Sequence, residues 1–201
     1  MTSSKNLKDR PALRETRFLL TGLIIATTFP AVAAANDSTY TKIDFDACET
    51  LFFSDEGGSV SLKCPGYRGI PVYYNEGDLR ADVDFGTPNQ FFETFGAFNS
   101  TGDTVEWRLA AGKPIAAILR FHLDPGDGGE KGQVLSVHKI GFKGKAGCAI
   151  AYVDARANPN ANGLAREVAD DRAPSFACGT DRPTYVGKVS RSGRGATAVN
   201  D

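Results

Sequence analysis

The stretch VEWRLAAGKPIAAILRFHLDPGDGGEKGQVLSVHKI, residues 105–140, decides the fold. Three runs rich in apolar residues, VEWRL, PIAAILRFHL and QVLSVHKI, are separated by Ala111-Gly112-Lys113 and by the glycine-rich acidic loop 124–131. Runs of this length bounded by glycine and proline read as strands joined by tight turns. Val105, Trp107, Leu109, Ile115, Ala117, Leu119, Phe121, Leu123, Leu135 and Val137 all carry odd numbers, whereas Glu106, Arg108, Arg120, His122, Ser136 and His138 carry even ones. Side chains alternate across a strand, so this parity predicts an antiparallel meander with one apolar and one mainly polar face. Ala116, Ile118, Val134 and Ile140 are also even, which predicts partial cover on the polar side.

The same stretch holds both histidines of the chain. For apolar faces to match across the second hairpin, paired residue numbers must sum to an even value. A loop centred on Gly128 gives 256, placing His122 opposite Val134 and His138 opposite Ile118. The histidines then share a face but stand ~13 Å apart at strand rise, too far to ligate one metal. The loop also lacks the ligand spacing of an EF-hand. It is expected to be a hairpin, with no metal and no cofactor.

Upstream, residues 52–69 read as strand, turn, strand around Asp55-Glu56-Gly57-Gly58, and residues 70–85 as a second hairpin about Glu76-Gly77-Asp78. In its second arm Leu79, Ala81, Val83 and Phe85 alternate with Arg80, Asp82 and Asp84, the pattern of a half-buried strand. Phe91, Phe92, Phe95 and Phe98 recur at helical spacing behind Thr87-Pro88, which predicts a short helix. Downstream, Ala149–Asp154 reads as a strand and Asn158-Pro159-Asn160-Ala161 as a turn. A helix capped by Asn162 then presents Leu164, Ala165, Val168 and Ala169 before Pro174 stops it. Beyond Gly187 no periodic apolar face remains, and residues 187–201 are expected to be a disordered tail.

The first 35 residues form a separate unit. Lys5, Lys8, Arg10, Arg14 and Arg17 precede the apolar run from Phe18 to Ala26, and Pro30-Ala-Val-Ala-Ala-Ala supplies the A-x-A cleavage pattern of a secretory signal peptide. The run is too short for the ~20 residues a bilayer span needs, so no membrane span is expected after cleavage. Five of the 23 Lys/Arg and two of the 24 Asp/Glu lie in this leader, leaving 18 and 22 beyond it. A mildly acidic mature chain has no electrostatic reason to seek nucleic acid. In an exported chain four cysteines read as two disulfides, and Cys48–Cys64 with Cys148–Cys178 is the pairing in which each bridge closes one supersecondary unit. The fold class expected is therefore α+β and β-rich: an antiparallel meander with two short helices, stapled by disulfides, in one domain over residues 36–186.

No G-x-S-x-G elbow, H-E-x-x-H, P-loop or dinucleotide fingerprint occurs. Ser136-Val-His-Lys139 matches S-x-x-K, but on a strand and with no accompanying K-T-G, so no catalytic residue is assigned. The candidate binding residues are the even-numbered set Glu106, Arg108, Arg120, His122, Ser136 and His138. Two guanidiniums can grip a carboxylate or phosphate, and histidines can make such binding depend on pH. Tyr67, Tyr73 and Tyr74 beside Arg68 form a second, weaker candidate.

The strings Cys64-Pro-Gly-Tyr-Arg-Gly-Ile-Pro-Val-Tyr, Glu76-Gly-Asp-Leu-Arg, Glu106-Trp-Arg, Ala117-Ile-Leu-Arg, Cys148-Ala-Ile-Ala-Tyr-Val-Asp-Ala and Asn158-Pro-Asn-Ala resemble those of a group of small exported alphaproteobacterial proteins. The resemblance spans nearly the whole chain after the leader and implies a periplasmic or secreted location. It brings no active residue with it. The expected function is a non-catalytic exported binding or inhibitor module whose partner is a periplasmic protein or a small anionic ligand. A hydrolase with an unrecognised site, or a structural component of the envelope, is the alternative.

Overall fold

The computed structural model describes residues 36–198 apart from Gly57 and Asp127. The expected signal peptide, residues 1–35, lies outside the described residues. Eleven strands are described: β1 (Asp37–Lys42), β2 (Glu49–Ser54), β3 (Ser59–Cys64), β4 (Val72–Gly77), β5 (Arg80–Phe85), β6 (Phe98–Thr101), β7 (Thr104–Ala110), β8 (Lys113–Asp124), β9 (Gly132–Lys139), β10 (Cys148–Asp154) and β11 (Thr184–Tyr185). They are joined by one α-helix, α1 (Ala161–Arg172), and three short 3-10 turns.

The strands form two sheets. Sheet A has the order β1-β7-β8-β9-β10-β11, with β6 paired to the far end of the long β8. All its pairings are antiparallel except β10 with β11, which makes the sheet mixed. Sheet B is the antiparallel set β2-β3-β4-β5. Its β4–β5 hairpin turns through Asp78 and Leu79, both at positive φ (51° and 59°), as a right-twisting two-residue turn requires. Both expected disulfides are present, Cys48–Cys64 and Cys148–Cys178. The β-rich, disulfide-stapled architecture and the meander β7-β8-β9 are thus as the sequence predicts.

Sheet A, however, is buried on both faces. One face packs against sheet B around Trp107, Leu119, Phe121, Phe85 and Val83. The other packs against α1, where Ala116, Ile118, Leu135, Val137, Ile150 and Val153 meet Ala161, Ala165, Val168 and Ala169. Trp107 and Arg108, adjacent in sequence and on opposite faces, are both buried, which overturns the expected solvated face.

The register of the second hairpin differs accordingly. Ala117 pairs with His138, Leu119 with Ser136 and Phe121 with Val134, an odd sum of 255 in place of 256. A one-residue slip turns a strand over. Leu135 and Val137 therefore face the helix, and Ser136 and His138 face sheet B. The parity argument fails because it needs one wet face; with apolar cover on both sides, either register of β9 buries its apolar side chains.

The second expected helix is absent. Residues 87–97 instead run as an irregular strap across β5, and among the described residues only α1 is an α-helix. The reason lies in where the strap's backbone groups find partners. Asn89 N–H donates to Asp84, Phe91 N–H to the Asn89 side chain and Thr94 N–H to the Thr197 hydroxyl. Gly96 N–H donates to the Gly195 carbonyl. Partners across the chain replace the i−4 carbonyls of a helix. Phe95 is buried against Phe121 and Tyr152, while Phe91 and Phe92 remain exposed.

The expected tail is also ordered as far as it is described. Asn158 accepts from Lys188 N–H and donates to the Lys188 carbonyl. The buried carboxylate of Asp154 accepts from the Ser190 N–H and hydroxyl as well as from Arg156 and Ala157 N–H. Ala196 is buried, and Thr197 N–H closes onto the Thr94 carbonyl. The sequence signal missed this because the segment is held by backbone and side-chain polar groups, with no apolar periodicity of its own.

Candidate functional site

The six candidate residues do not form one surface. Glu106, Arg108, Arg120 and His122 lie on the α1 side of sheet A, while Ser136 and His138 lie on the sheet B side. The two histidines are consequently on opposite faces.

Arg108 and Glu106 are structural. The Arg108 guanidinium donates from Nε to one oxygen of Asp170 on α1 at 2.9 Å and from Nη2 to the other, a bidentate and mostly buried ion pair. Its third arm donates to the Ser38 hydroxyl, which donates to Glu106. Glu106 accepts in turn from Arg166 Nε at 2.6 Å, and Arg166 also donates to the Tyr40 hydroxyl. The hydrogen bond to Glu106 raises the already high Arg166 pKa. This chain of charge-assisted bonds docks the helix onto β1 and β7, so neither Arg108 nor Glu106 is free for a partner.

Ser136 and His138 face each other across two positions of β9, with Ser136 Oγ 2.7 Å from His138 Nε2. That is nucleophile–base geometry. The pair is nevertheless sealed, at 2 % and 3 % exposure, with His138 packed edge-on to Phe85. Among the described residues His138 Nδ1 has no hydrogen-bond partner, so no carboxylate of theirs orients the ring. Burial pushes its pKa down to about 4, far below the range of an efficient base at neutral pH. A substrate cannot reach this pair, and it carries no catalytic assignment.

What remains open is the ground around Arg120 and His122. A cleft of about 440 Å³ lies between sheet A and the start of α1; Ile118 and Leu135 line it with Tyr40, Arg120, His122 and Arg166. Arg120 donates to the amide oxygens of Gln133, at 3.1 Å, and Asn162, at 3.5 Å. Among the described residues it makes no ion pair, unlike Arg108 and Arg166 beside it. Neutral amides fix its direction, while the carboxylates of Asp103 and Glu106, which pair with Lys42 and Arg166, line the same cleft. His122 is exposed and stands beside Gly102, which follows β6 and lines the cleft with Asp103 and Thr104. A second hollow of about 470 Å³ shares His122 and runs on past Leu79, Phe98, Lys131 and Arg156. The tyrosine candidate is mostly packing: Tyr67 and Tyr74 meet Trp107 and Phe45, and Arg68 lies over the Tyr67 ring.

The sequence reading missed a third polar group altogether. Asp82 and Asp84, both 2 % exposed, lie under the strap on the face of β5 away from Val83 and Phe85. Desolvation, with the charge of Asp84 beside it, pushes Asp82 up to about 8. Desolvation likewise lifts Asp84 to about 7, against the lowering effect of the Asn89 N–H. Glu93 from the strap is raised by burial and bonds the Ala149 N–H. The period-two pattern placed these aspartates on a wet face; the strap, whose Asn89 bonds Asp84, covers them. No group of residues suited to a metal ion occurs among the described residues.

No family model, curated protein or solved structure matches the chain. No helix among the described residues is long and apolar enough to cross a membrane.

Proposed function

We propose that this protein is an exported, periplasmic, non-catalytic binding module that takes a small carboxylate- or phosphate-bearing ligand in the cleft at Arg120. The observation that carries the reading is the Arg120 guanidinium, which makes no ion pair among the described residues and is aimed by two amide oxygens above the apolar floor of Ile118 and Leu135. Pre-positioned donors on a sheet lose little entropy on binding. The two disulfides agree with an oxidising compartment, as does the resemblance to small exported alphaproteobacterial proteins. The sealing of Ser136 and His138 from solvent weighs against the hydrolase alternative.

The test is calorimetric titration with a panel of small mono- and dicarboxylates and phosphate monoesters. Arg120→Ala is expected to weaken the best ligand at least tenfold, a loss of about 1.4 kcal/mol or more. Arg120→Ala with undiminished affinity for a ligand of the wild-type protein would refute the reading.

A further inference from the structure

The free edge of sheet B carries a second surface that shares no residue with the lining of the Arg120 cleft. Among the described residues β2 pairs only with β3, so from Glu49 to Phe53 its other side is left open to a further strand. Every residue from Glu49 to Phe53 is exposed, including Leu51, Phe52 and, at 64 %, Phe53. The register skips Leu51, pairing Thr50 with Leu62, Phe52 with Ser61 and Phe53 with Val60. Phe52 therefore points to the outer face. Phe53 shares the inner face with half-buried Val60 and Leu62, where Phe45 stacks edge-on against Tyr74. An edge strand with apolar side chains on both faces is a template for strand addition, a feature proteins otherwise blunt with charge.

Charge decides what the template accepts. Asp44, Asp46 and Glu49 stand at one end of β2 and Asp55 and Glu56 at the other. Lys63 offsets only Glu49, at 3.5 Å. A second copy pairing antiparallel would bring Asp55 and Glu56 against Asp46 and Glu49; pairing parallel, it would set each carboxylate beside its twin. Like charges opposed across a ladder are destabilising, so the edge disfavours its own kind. We propose that β2 receives an extended segment of a partner protein, apolar at alternate positions and flanked at both ends by lysine or arginine. Main-chain bonds would hold the segment, Phe52 and Phe53 would pack on its apolar residues, and the carboxylates would select its basic flanks.

The probe is a fluorescein-labelled peptide, Lys-Lys-Val-Thr-Val-Thr-Val-Lys-Lys, titrated by anisotropy with the exported protein. Controls are the same core with glutamate flanks and a basic-flanked peptide with proline at its centre. The basic-flanked peptide should bind at least tenfold tighter than either control, and should weaken severalfold between 50 and 300 mM salt. Phe52→Lys with Phe53→Lys, both at exposed positions, should abolish the binding while the near-ultraviolet spectrum of Trp107 stays unchanged. Equal affinity for acidic and basic flanks overturns the charge selection, and binding that survives the double lysine variant overturns the site. A concentration-dependent dimer in sedimentation that the double variant abolishes would assign the edge to a second copy and overturn the proposal.

Discussion

Replacing Asp82 and Asp84 together by asparagine should reverse the pH dependence of stability. Both carboxyls titrate well above their ordinary 3.8 in the folded chain, at about 8 and about 7. The folded state thus holds two protons that the unfolded chain has released, and its stability falls as pH rises from 3.8 towards those values. His138 acts in the opposite sense. Its folded value of about 4 lies below its ordinary 6.5, so the unfolded chain holds the extra proton between those limits and stability there rises with pH. Each proton of difference is worth about 1.4 kcal/mol per pH unit. From pH 5 to 6.5 the wild type has a net surplus of one proton in the folded state, from 6.5 to 7 of two, and from 7 to 8 of one.

From these three groups the wild type should therefore lose about 5 kcal/mol between pH 5 and 8, with Glu93, also raised by burial, adding in the same direction and water entry beneath the strap reducing the total. The Asp82→Asn, Asp84→Asn protein keeps the His138 contribution, opposed only by Glu93, and should gain up to about 2 kcal/mol from pH 5 to 6.5. Asparagine can still accept the hydrogen bonds from Asn75 and the Asn89 backbone that the carboxyls now receive. The assay is urea unfolding at pH 5, 6, 7 and 8, followed by the fluorescence of the single tryptophan, buried Trp107. Parallel pH profiles for the two proteins would mean that both aspartates are already ionised in the folded chain, and would refute the reasoning.

Other outcomes are as definite. Arg108→Ala should cost about 3 kcal/mol or more in denaturant unfolding, because it strands Asp170 on the docked face of α1; a loss below 1 kcal/mol would show that the helix does not depend on this pair. Each disulfide, closing separations of 16 and 30 residues, should contribute ~3 kcal/mol, read as the fall in Tm when it is reduced. Non-reducing peptide mapping that found a crossed pairing or a free thiol would contradict the fold itself. Gly132→Ala places a Cβ 1.9 Å from the Ser192 carbonyl oxygen, a backbone atom with nowhere to go. It should dislodge the C-terminal segment, speed tryptic cleavage after Arg191 and Arg194, and cost about 1–3 kcal/mol. Unchanged proteolysis would show that this segment is not held at Gly132.

Local chemistry made much of this protein legible. Alternating apolar residues bounded by glycine, proline and aspartate mark the strands of 105–140 and of the 70–85 hairpin, because side-chain alternation and turn preferences act over a few residues. The spacing of Cys48, Cys64, Cys148 and Cys178, read with the expected leader, favoured among three possible pairings the one the structure has. The last helix was visible from Leu164, Ala165, Val168 and Ala169, though it begins at Ala161, ahead of the expected Asn162 cap.

Burial by distant segments was not legible. Whether an even-numbered residue on sheet A meets water depends on α1, which arrives some twenty residues beyond the meander and takes Arg108 through Asp170 and Glu106 through Arg166. The same cover on both faces removed the constraint that ties strand register to parity, and so separated Ser136 and His138 from Arg120 and His122. Asp82 and Asp84 look like ordinary surface acids until the strap of 87–97 crosses them, and the four phenylalanines look helical until Asp84, Thr197 and Gly195 claim the backbone groups that a helix would use. A pattern records which side chains share a face; the desolvation that sets their charge, and the partners that satisfy their backbone, belong to the tertiary structure.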